Sequence, residues 1–98
     1  MEFSKVQTKY EVKFTSAMKK DMKKVVKRHY DLTLFAEIVE KIANGIPLEE
    51  KYKDHELEGN WAGHRECHIK PDWLLIYQIK NDILVLELSR TGTHSDLF

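Results

Sequence analysis

The feature that most constrains the fold of this chain is a nearly continuous apolar run over residues 73–79. A run of this length and composition is typical of a central strand that is covered on both faces. Asn81 and Asp82 follow it and predict a two-residue hairpin turn. Residues 83–89 then return as a final strand. The second half of the chain therefore predicts the middle of an antiparallel sheet.

The first half carries one strand pattern followed by two helix patterns. Residues 10–14 alternate apolar and charged side chains, which predicts a short first strand. Thr15 or Ser16 offers the N-cap of an amphipathic helix, and Asp31 offers the N-cap of a second helix. Gly45 is expected to end the second helix, because a residue with positive φ is favoured there.

Residues 46–61 form the longest stretch without clear periodicity, and loops of that length in a compact domain are often functional. Residues 62–69 predict another strand, which a tight turn around Pro71 joins to the central one. The expected fold is therefore α+β, in the order β-α-α-β-β-β, with two N-terminal helices packed on one face of an antiparallel sheet. The opposite face would remain available for a ligand.

Length and composition place further bounds on the chain. Its 98 residues predict one domain, over residues 10–98, preceded by a tail or an extra edge strand over residues 1–9. No apolar run approaches the roughly 20 residues of a membrane span, and the N-terminus has no apolar signal core. The single cysteine, Cys67, permits no internal disulfide, which fits a reducing compartment. A soluble, cytoplasmic protein without membrane partners is expected.

The charges cancel overall but are unevenly distributed. Sixteen basic residues balance sixteen acidic ones, which mildly disfavours a nucleic-acid partner. Residues 13–28 are nevertheless rich in lysine, whereas residues 37–58 are mostly acidic. Such a dipolar surface could hold a polyanion or an acidic partner on one side, although a solvated helix face explains the lysines equally simply. The candidate basic residues of the first helix are Lys19, Lys20, Lys23, Lys24 and Lys27.

Three of the five histidines border predicted turns, where a scaffold can aim side chains at a ligand. Imidazole can accept and release a proton near neutral pH, and the planar guanidinium of Arg90 suits phosphate oxygens. An acid, a base and a phosphate clamp are together what RNA cleavage by internal 2′-hydroxyl attack requires. Scattered surface histidines remain the alternative. Each of the three has an aspartate near in sequence: His55 with Asp54, His68 with Asp72, and His94 with Asp96.

The other histidines suggest less. His29 falls at the end of a helix, where packing or a role at the helix C-terminus is expected, and the role of His64 stays open. His64, Cys67 and His68 together offer metal-ligating atoms, but on a strand Cys67 would point away from both histidines. No spacing of cysteine and histidine matches a zinc template, so no metal or other cofactor is expected.

Spaced residues through the second half carry a resemblance to a known family. They are Tyr52-Lys53-Asp54-His55, then Leu57, Gly59, Trp61, Gly63, Arg65 and His68, then Pro71-Asp72-Trp73 with Leu75-Ile76-Tyr77, and finally Arg90-Thr91-Gly92-Thr93-His94 with Leu97-Phe98. In these positions the chain resembles the YafQ branch of the RelE/ParE toxin superfamily. The resemblance covers residues 10–98, and the fold of that family agrees with the order of elements predicted above.

The resemblance implies a type II toxin that is an endoribonuclease, or mRNA interferase. Members of the family cleave mRNA, typically at the ribosome, without a metal or other cofactor, and leave a 2′,3′-cyclic phosphate. A cognate antitoxin neutralises them. The family's catalytic site falls on six positions of this chain: His55, His68, Asp72, Arg90, His94 and Phe98.

The resemblance also suggests a role for each position. His94 would be the general acid, and His55 or His68 would help to deprotonate the 2′-hydroxyl. Asp72 would orient a partner or act as a base. Arg90 would stabilise charge on the phosphorane, and Phe98 would stack on a base, with Trp73 supporting the site from the core. Since the chain is neutral whereas ribosome-directed relatives are basic, RNA binding would depend on the lysines of the first helix. A ParE-like inhibitor of DNA gyrase, without enzymatic activity, is the alternative.

Overall fold

The structure, a computed structural model, describes residues 8–98, so most of the predicted N-terminal tail or edge strand lies outside the described residues. Five strands and three helices follow one another in the described part, with short 3-10 turns at Glu50–Tyr52 and Gly59–Trp61. In chain order these are β1 (Glu11–Phe14), α1 (Ser16–Lys27), α2 (Leu32–Ala43), β2 (His55–Glu56), β3 (Arg65–Lys70), β4 (Trp73–Lys80), β5 (Val85–Gly92) and α3 (His94–Leu97).

The strands form one sheet in the order β1-β5-β4-β3-β2, with the apolar run of residues 73–79 at its centre, as predicted. β3, β4 and β5 are antiparallel neighbours. β1 pairs with β5 in parallel, so the sheet is mixed and not antiparallel throughout. The alternation of residues 10–14 indicates a strand, but it carries no information about the direction of a partner far along the chain. The α+β fold and the predicted order are confirmed, with β2 and α3 as short additions.

Both predicted helix starts are confirmed by their capping bonds. The Thr15 hydroxyl accepts a hydrogen bond from the backbone N–H of Met18 at 3.0 Å. The Asp31 carboxylate accepts one from the backbone N–H of Leu34, also at 3.0 Å. These side chains satisfy amide groups that the first turn of a helix leaves without a carbonyl partner. α2 ends before Gly45, whose φ of +71° confirms the expected left-handed residue.

The core lies between the two long helices and one face of the sheet. Trp73 is 3% exposed and packs its indole against the rings of Tyr30 and Phe35, with centroid distances of 4.8 and 6.2 Å. Its Nε1–H donates to the hydroxyl of Thr91 at 2.9 Å. Cys67, Leu75 and Tyr77 belong to the same cluster, as listed by position along β3 and β4. Trp73 therefore lies within the core, as the sequence led us to expect.

Two local predictions were wrong. The β4–β5 connection has four residues, 81–84, and not two, because Leu84 takes a φ of +52° and the strand pairing begins at Val85. Its apolar residues Ile83 and Leu84 are exposed at 61% and 52%, although their apolar character suggested a strand. The predicted packing role of His29 is also wrong, since its side chain is exposed.

His29 instead completes the end of α1 through its backbone. Its φ is +58°, and its N–H donates to the carbonyl of Val26 at 3.1 Å. The N–H of Tyr30 donates to the carbonyl of Val25 at 3.1 Å. These two bonds form a Schellman motif, which turns the chain out of the helix. Separately, none of the helices described within residues 8–98 is long and apolar enough to cross a membrane.

Candidate active site

A row of polar side chains crosses the sheet on the face away from the long helices. Cys67 and Leu75 face the core, so the alternating residues Glu66 and Ile76 face the other side. The strand register places His55 opposite Glu66, Glu66 opposite Ile76, and Ile76 opposite Arg90. Directly opposed residues share a face, so these four lie in one row over four strands. With neighbouring strands roughly 4.8 Å apart, the row spans about 14 Å of backbone.

Glu66 lies between two of the predicted catalytic histidines. Its Oε1 is 3.5 Å from Nε2 of His55 and 3.8 Å from Nε2 of His68. The carboxylate is buried, at 7% exposure, and its Oε2 has no hydrogen-bond partner among the described residues. The two imidazole centroids are 6.3 Å apart. The structure therefore brings His55 and His68 together around a carboxylate that the sequence-based site did not include.

Backbone carbonyls orient both imidazoles. Nδ1 of His55 is 2.6 Å from the carbonyl oxygen of Lys53, and Nδ1 of His68 is 3.3 Å from that of Pro71. A carbonyl can only accept a hydrogen bond, so each contact places the proton of a neutral ring on Nδ1. Nε2 of each ring is then left facing Glu66, with a lone pair that can take a proton. The 3.5 and 3.8 Å distances leave both nitrogens outside a normal hydrogen bond to the carboxylate.

A second group lies where the C-terminus meets the β3–β4 turn. Asp72 Oδ1 accepts a hydrogen bond of 3.1 Å from the backbone N–H of His94. The rings of His94 and Phe98 are 5.1 Å apart, and both side chains are exposed. Asp72, His94 and Phe98 are therefore brought together, on the short helix α3 and the turn beside it.

Asp96 anchors α3 to the rest of the protein. Its carboxylate accepts hydrogen bonds from the Arg28 guanidinium at 2.6 and 3.2 Å, and from the backbone N–H of Thr93 at 2.9 Å. The bond from Arg28 holds the pKa of Asp96 well below its usual range. The Thr93 hydroxyl in turn accepts from the Asp96 N–H, which completes a capping box. A Cβ at Gly92 would lie 2.8 Å from Asp96 Oδ2, so glycine is required there.

Arg90 is held from the side by α1. Its Nε donates to Asp21 Oδ2 at 2.7 Å, and its Nη2 donates to Asp21 Oδ1 at 3.2 Å. Asp21 is 6% exposed and also accepts from the backbone N–H of Thr91 at 3.1 Å. The bond to Asp21 raises the pKa of Arg90. Asp21 occupies two of the five guanidinium N–H groups, so others remain for a ligand.

The predicted pairing of each histidine with its nearest aspartate was wrong. Asp54 accepts from the Tyr77 hydroxyl at 2.6 Å and from Arg65 Nε at 3.2 Å, toward the core and away from His55. Asp72 binds a backbone N–H of α3 and not His68, while Asp96 binds Arg28. Neighbouring residues in extended chain point in opposite directions, so closeness in sequence does not bring their side chains together. The spacing of Glu66 two residues before His68 was the pattern that could have identified the missing carboxylate.

The remaining candidates lie apart from these contacts. His64 precedes β3, with its ring edge-on to Trp61 at 5.2 Å. Cys67 is buried in the core, and this burial raises the pKa of its thiol. The predicted RNA-binding lysines are all exposed on α1, which reaches the site through the contact of Asp21 with Arg90. They are Lys19, Lys20, Lys23, Lys24 and Lys27.

A metal site is weakly supported by this geometry. Within residues 8–98, no group of three or more histidine, cysteine, aspartate or glutamate side chains is arranged to hold a metal ion. Nε2 of His55, Oε1 of Glu66 and Nε2 of His68 have suitable chemistry for a divalent transition metal. One carboxylate oxygen lies between the two nitrogens, however, so the three atoms would have to separate around an ion.

Comparison with known proteins identifies the family. A family model described as "Bacterial toxin of type II toxin-antitoxin system, YafQ" matches residues 10–98. The chain is 39% identical over 89 residues to the mRNA interferase toxin YafQ of Escherichia coli (strain K12), covering 90% of this chain and 95% of that protein. A putative toxin YafQ of Haemophilus influenzae is 35% identical, covering 86% and 87%.

Solved structures agree. YafQ in the E. coli DinJ–YafQ toxin–antitoxin complex matches with a TM-score of 0.83 and 37% identity, covering 92% of this chain and 98% of that one. A metal-bound toxin from Helicobacter pylori matches with a TM-score of 0.86 and 45% identity, covering 91% and 99%. The resemblance read from the sequence is confirmed. This chain belongs to the YafQ family of bacterial toxins of type II toxin–antitoxin systems.

Proposed function

We propose that this protein is an endoribonuclease that cleaves mRNA and that a cognate antitoxin neutralises it. A relative with 39% identity is named an mRNA interferase toxin, and another member of the family forms a toxin–antitoxin complex. One observation carries the proposal for this chain. Imidazoles, a buried carboxylate and a guanidinium share one sheet face, with a further imidazole held at its rim by Asp72.

The proposed reaction is internal transfer of the phosphate. The 2′-oxygen loses its proton and attacks the adjacent phosphorus, while the bond from phosphorus to the 5′-oxygen breaks. The leaving oxygen takes a proton, and the products are a 2′,3′-cyclic phosphate and a 5′-hydroxyl. The protein must supply a base, an acid and a cation for the extra charge in the transition state.

His55 and His68 are the candidates for the base. Their Nδ1 atoms face backbone carbonyls, which leaves Nε2 of each neutral ring able to accept the 2′-hydroxyl proton. Glu66, at 3.5 and 3.8 Å from these two nitrogens, would stabilise the imidazolium that forms. Because one carboxylate oxygen faces both rings, we propose that His55 and His68 act as a coupled pair.

His94 is the proposed general acid for the leaving 5′-oxygen. Its imidazole is exposed, and its backbone is fixed by Asp72 at 3.1 Å and by the capping box of α3. The proposed role of Asp72 is thus to position α3. Phe98, with its ring 5.1 Å from that of His94, is exposed and can stack on a base.

Arg90 would stabilise the charge that builds up on the non-bridging oxygens. A guanidinium presents a planar set of donors that matches two phosphate oxygens. Asp21 fixes its orientation through two hydrogen bonds and leaves other donors available. Asp21 is therefore a positioning residue and not a catalytic one.

The proposed chemistry needs no metal or other cofactor. The H. pylori relative is described as metal-bound, so an ion between His55, Glu66 and His68 deserves a direct test. Full cleavage in excess chelator is expected, and its loss would contradict metal-independent catalysis. The exposed lysines of α1 are proposed to hold RNA phosphates, at the ribosome or in free mRNA.

The experiment that tests this function uses growth arrest and antitoxin binding together. His94→Ala should abolish the growth arrest that follows expression of the protein, while binding to the antitoxin and thermal stability stay nearly unchanged. The antitoxin is to be identified by co-purification of the neighbouring gene product. If arrest survives the substitution and plasmid supercoiling falls instead, the gyrase-inhibitor alternative replaces the ribonuclease.

A further inference from the structure

A groove adjoins the proposed catalytic face and is not used by the mechanism above. It lies between the start of α2, the Glu50–Tyr52 turn and the end of β3, and it has a volume of about 660 Å³. That volume is within the range of binding sites for small ligands and parts of larger ones. Its lining includes Leu34, Tyr52 and Ile69 on the apolar side, and lysines on the polar side.

The groove is continuous with the catalytic face. His68 lines the groove and also faces Glu66 on the sheet, with 3.8 Å between Nε2 and Oε1. Lys53, a second lining residue, provides the carbonyl that orients His55. A strand that passes the imidazole pair in this direction would therefore enter the groove directly.

The groove is positively charged in a chain that is neutral overall. Lys51, Lys53 and Lys70 line it, against a single carboxylate, that of Asp31. The Asp31 carboxylate is already bound to the backbone N–H of Leu34 at 3.0 Å. The Lys51 ammonium lies 5.2 Å from the centre of the Tyr52 ring and 3.8 Å from Glu49. That ion pair is exposed, so a phosphate can displace the glutamate at little cost.

We infer that this groove binds the RNA strand that continues beyond the scissile linkage, with Lys51 and Lys70 contacting its phosphates. The inference rests on the proposed function and extends it by naming a path for the substrate. Single-stranded nucleic acid is the occupant that fits best, because a basic groove that follows a backbone is the usual way in which proteins hold such strands. An acidic segment of the antitoxin is the competing occupant and is an outcome of the test below.

The choice of substitutions follows from the backbone. Lys53 has a φ of +50° and its carbonyl holds His55, so changing it would disturb the catalytic face. Lys51 and Lys70 have exposed side chains, and neither is placed in the catalytic machinery. The test variant is Lys51→Ala/Lys70→Ala. The matched control is Lys9→Ala/Lys13→Ala, which removes the same charge from exposed lysines that do not line the groove.

The measurement is binding of a short single-stranded 2′-O-methyl RNA, which has no free 2′-hydroxyl and so is not cleaved, over a series of salt concentrations. Each lost phosphate contact should reduce the slope of log K against log salt by about 0.7. The groove variant should therefore show a slope smaller by about 1.4 than the wild type, with weaker binding at low salt. The control should keep the wild-type slope.

Three results would overturn the inference, and they differ from failure of the proposed function. Equal slopes for the groove and control variants would exclude the groove as an RNA site. Loss of antitoxin affinity with unchanged RNA binding would assign the groove to the antitoxin. A wild type that cleaves mRNA on ribosomes but binds no free RNA would reject the groove alone. A wild type that neither binds nor cleaves RNA would reject the function as well.

Discussion

Asp72 Oδ1 accepts a hydrogen bond of 3.1 Å from the backbone N–H of His94, which ties the β3–β4 turn to the last helix of the chain. Chain ends are usually frayed unless something holds them. Here the end is held three times, by Asp72, by the Thr93 capping box and by the pair of Arg28 with Asp96. This makes it possible for His94, four residues before the last residue, to have a defined position.

The first prediction separates the two possible roles of Asp72. Asp72→Ala removes the acceptor for the His94 N–H, and single-turnover RNA cleavage should fall about 10- to 100-fold, a size typical of lost positioning. Asp72→Asn keeps an acceptor oxygen and should retain most of the activity. If the asparagine variant is as slow as the alanine variant, the carboxylate itself takes part in proton transfer.

The second prediction concerns Glu66, whose burial with an unpartnered Oε2 carries a cost in stability. Glu66→Leu should raise the free energy of unfolding by about 1 kcal/mol, since an apolar side chain replaces a buried charge. RNA cleavage by the same variant should fall at least tenfold, because the imidazole pair loses its carboxylate. Chemical denaturation and single-turnover cleavage measure the two effects. Glu56→Gln, on the exposed neighbouring strand, is the control and should change neither.

A double-mutant cycle tests whether His55 and His68 act together. If both depend on Glu66, the combined variant His55→Ala/Glu66→Leu should cleave about as slowly as the slower of its parents, because interacting groups give non-additive effects. Additive losses would show that Glu66 does not work through His55. The same cycle with His68→Ala decides which imidazole depends on Glu66 more strongly.

The third prediction uses the lowered pKa of Asp96, whose first cause is the bond from Arg28. A carboxyl with a folded-state pKa below its unfolded value of about 3.9 stabilises the fold above that pH, and this stabilisation is lost as the pH falls further. Asp96→Asn should therefore flatten the dependence of stability on pH below about pH 4, and should cost about 1 kcal/mol through the lost cap. Thermal unfolding across that range is the measurement.

Asp82→Asn is the control for Asp96, because Asp82 is exposed in the β4–β5 loop. It should leave the acid side of the stability curve as in the wild type. A curve for Asp96→Asn that parallels the wild type at low pH would contradict the assigned role of the ion pair with Arg28.

The fourth prediction concerns the positioning of Arg90 by Asp21. Asp21→Asn removes the charge opposite the guanidinium and should destabilise the fold by about 2 kcal/mol, the size expected for hydrogen bonds to a charged group. Cleavage should also fall, measured at a temperature where the variant is fully folded. Lys20→Gln, at the neighbouring exposed position, should affect stability by less than about 0.5 kcal/mol. An Asp21→Asn variant with full cleavage would show that Arg90 does not need this restraint.

The sequence was informative where local physics decides the outcome. Apolar runs, alternation and the capping residues Thr15 and Asp31 predicted the elements correctly, because each depends on contacts within a few residues. The direction of β1 and the four-residue β4–β5 loop were missed, since pairing and turn geometry depend on distant or backbone-level effects. The resemblance supplied all six site positions, and their catalytic roles stay predictions.

Side-chain partners could not be predicted in the same way. Each histidine has an aspartate close in sequence, yet the carboxylate nearest to His55 and His68 comes from Glu66 on β3. Asp21, which holds Arg90, lies 69 positions away in the chain. Only the strand register and the packing of α1 on β5 bring such residues together.

The most direct test of the account is to map the RNA ends that the purified protein produces. A defined mRNA should be incubated with the wild type and with His94→Ala, with and without ribosomes, in the presence of excess chelator. The account predicts cleavage by the wild type that leaves a 2′,3′-cyclic phosphate and a 5′-hydroxyl, and that His94→Ala slows by at least a hundredfold, within the range of general acid catalysis. Products with a 5′-phosphate, or activity that chelator removes, would contradict it.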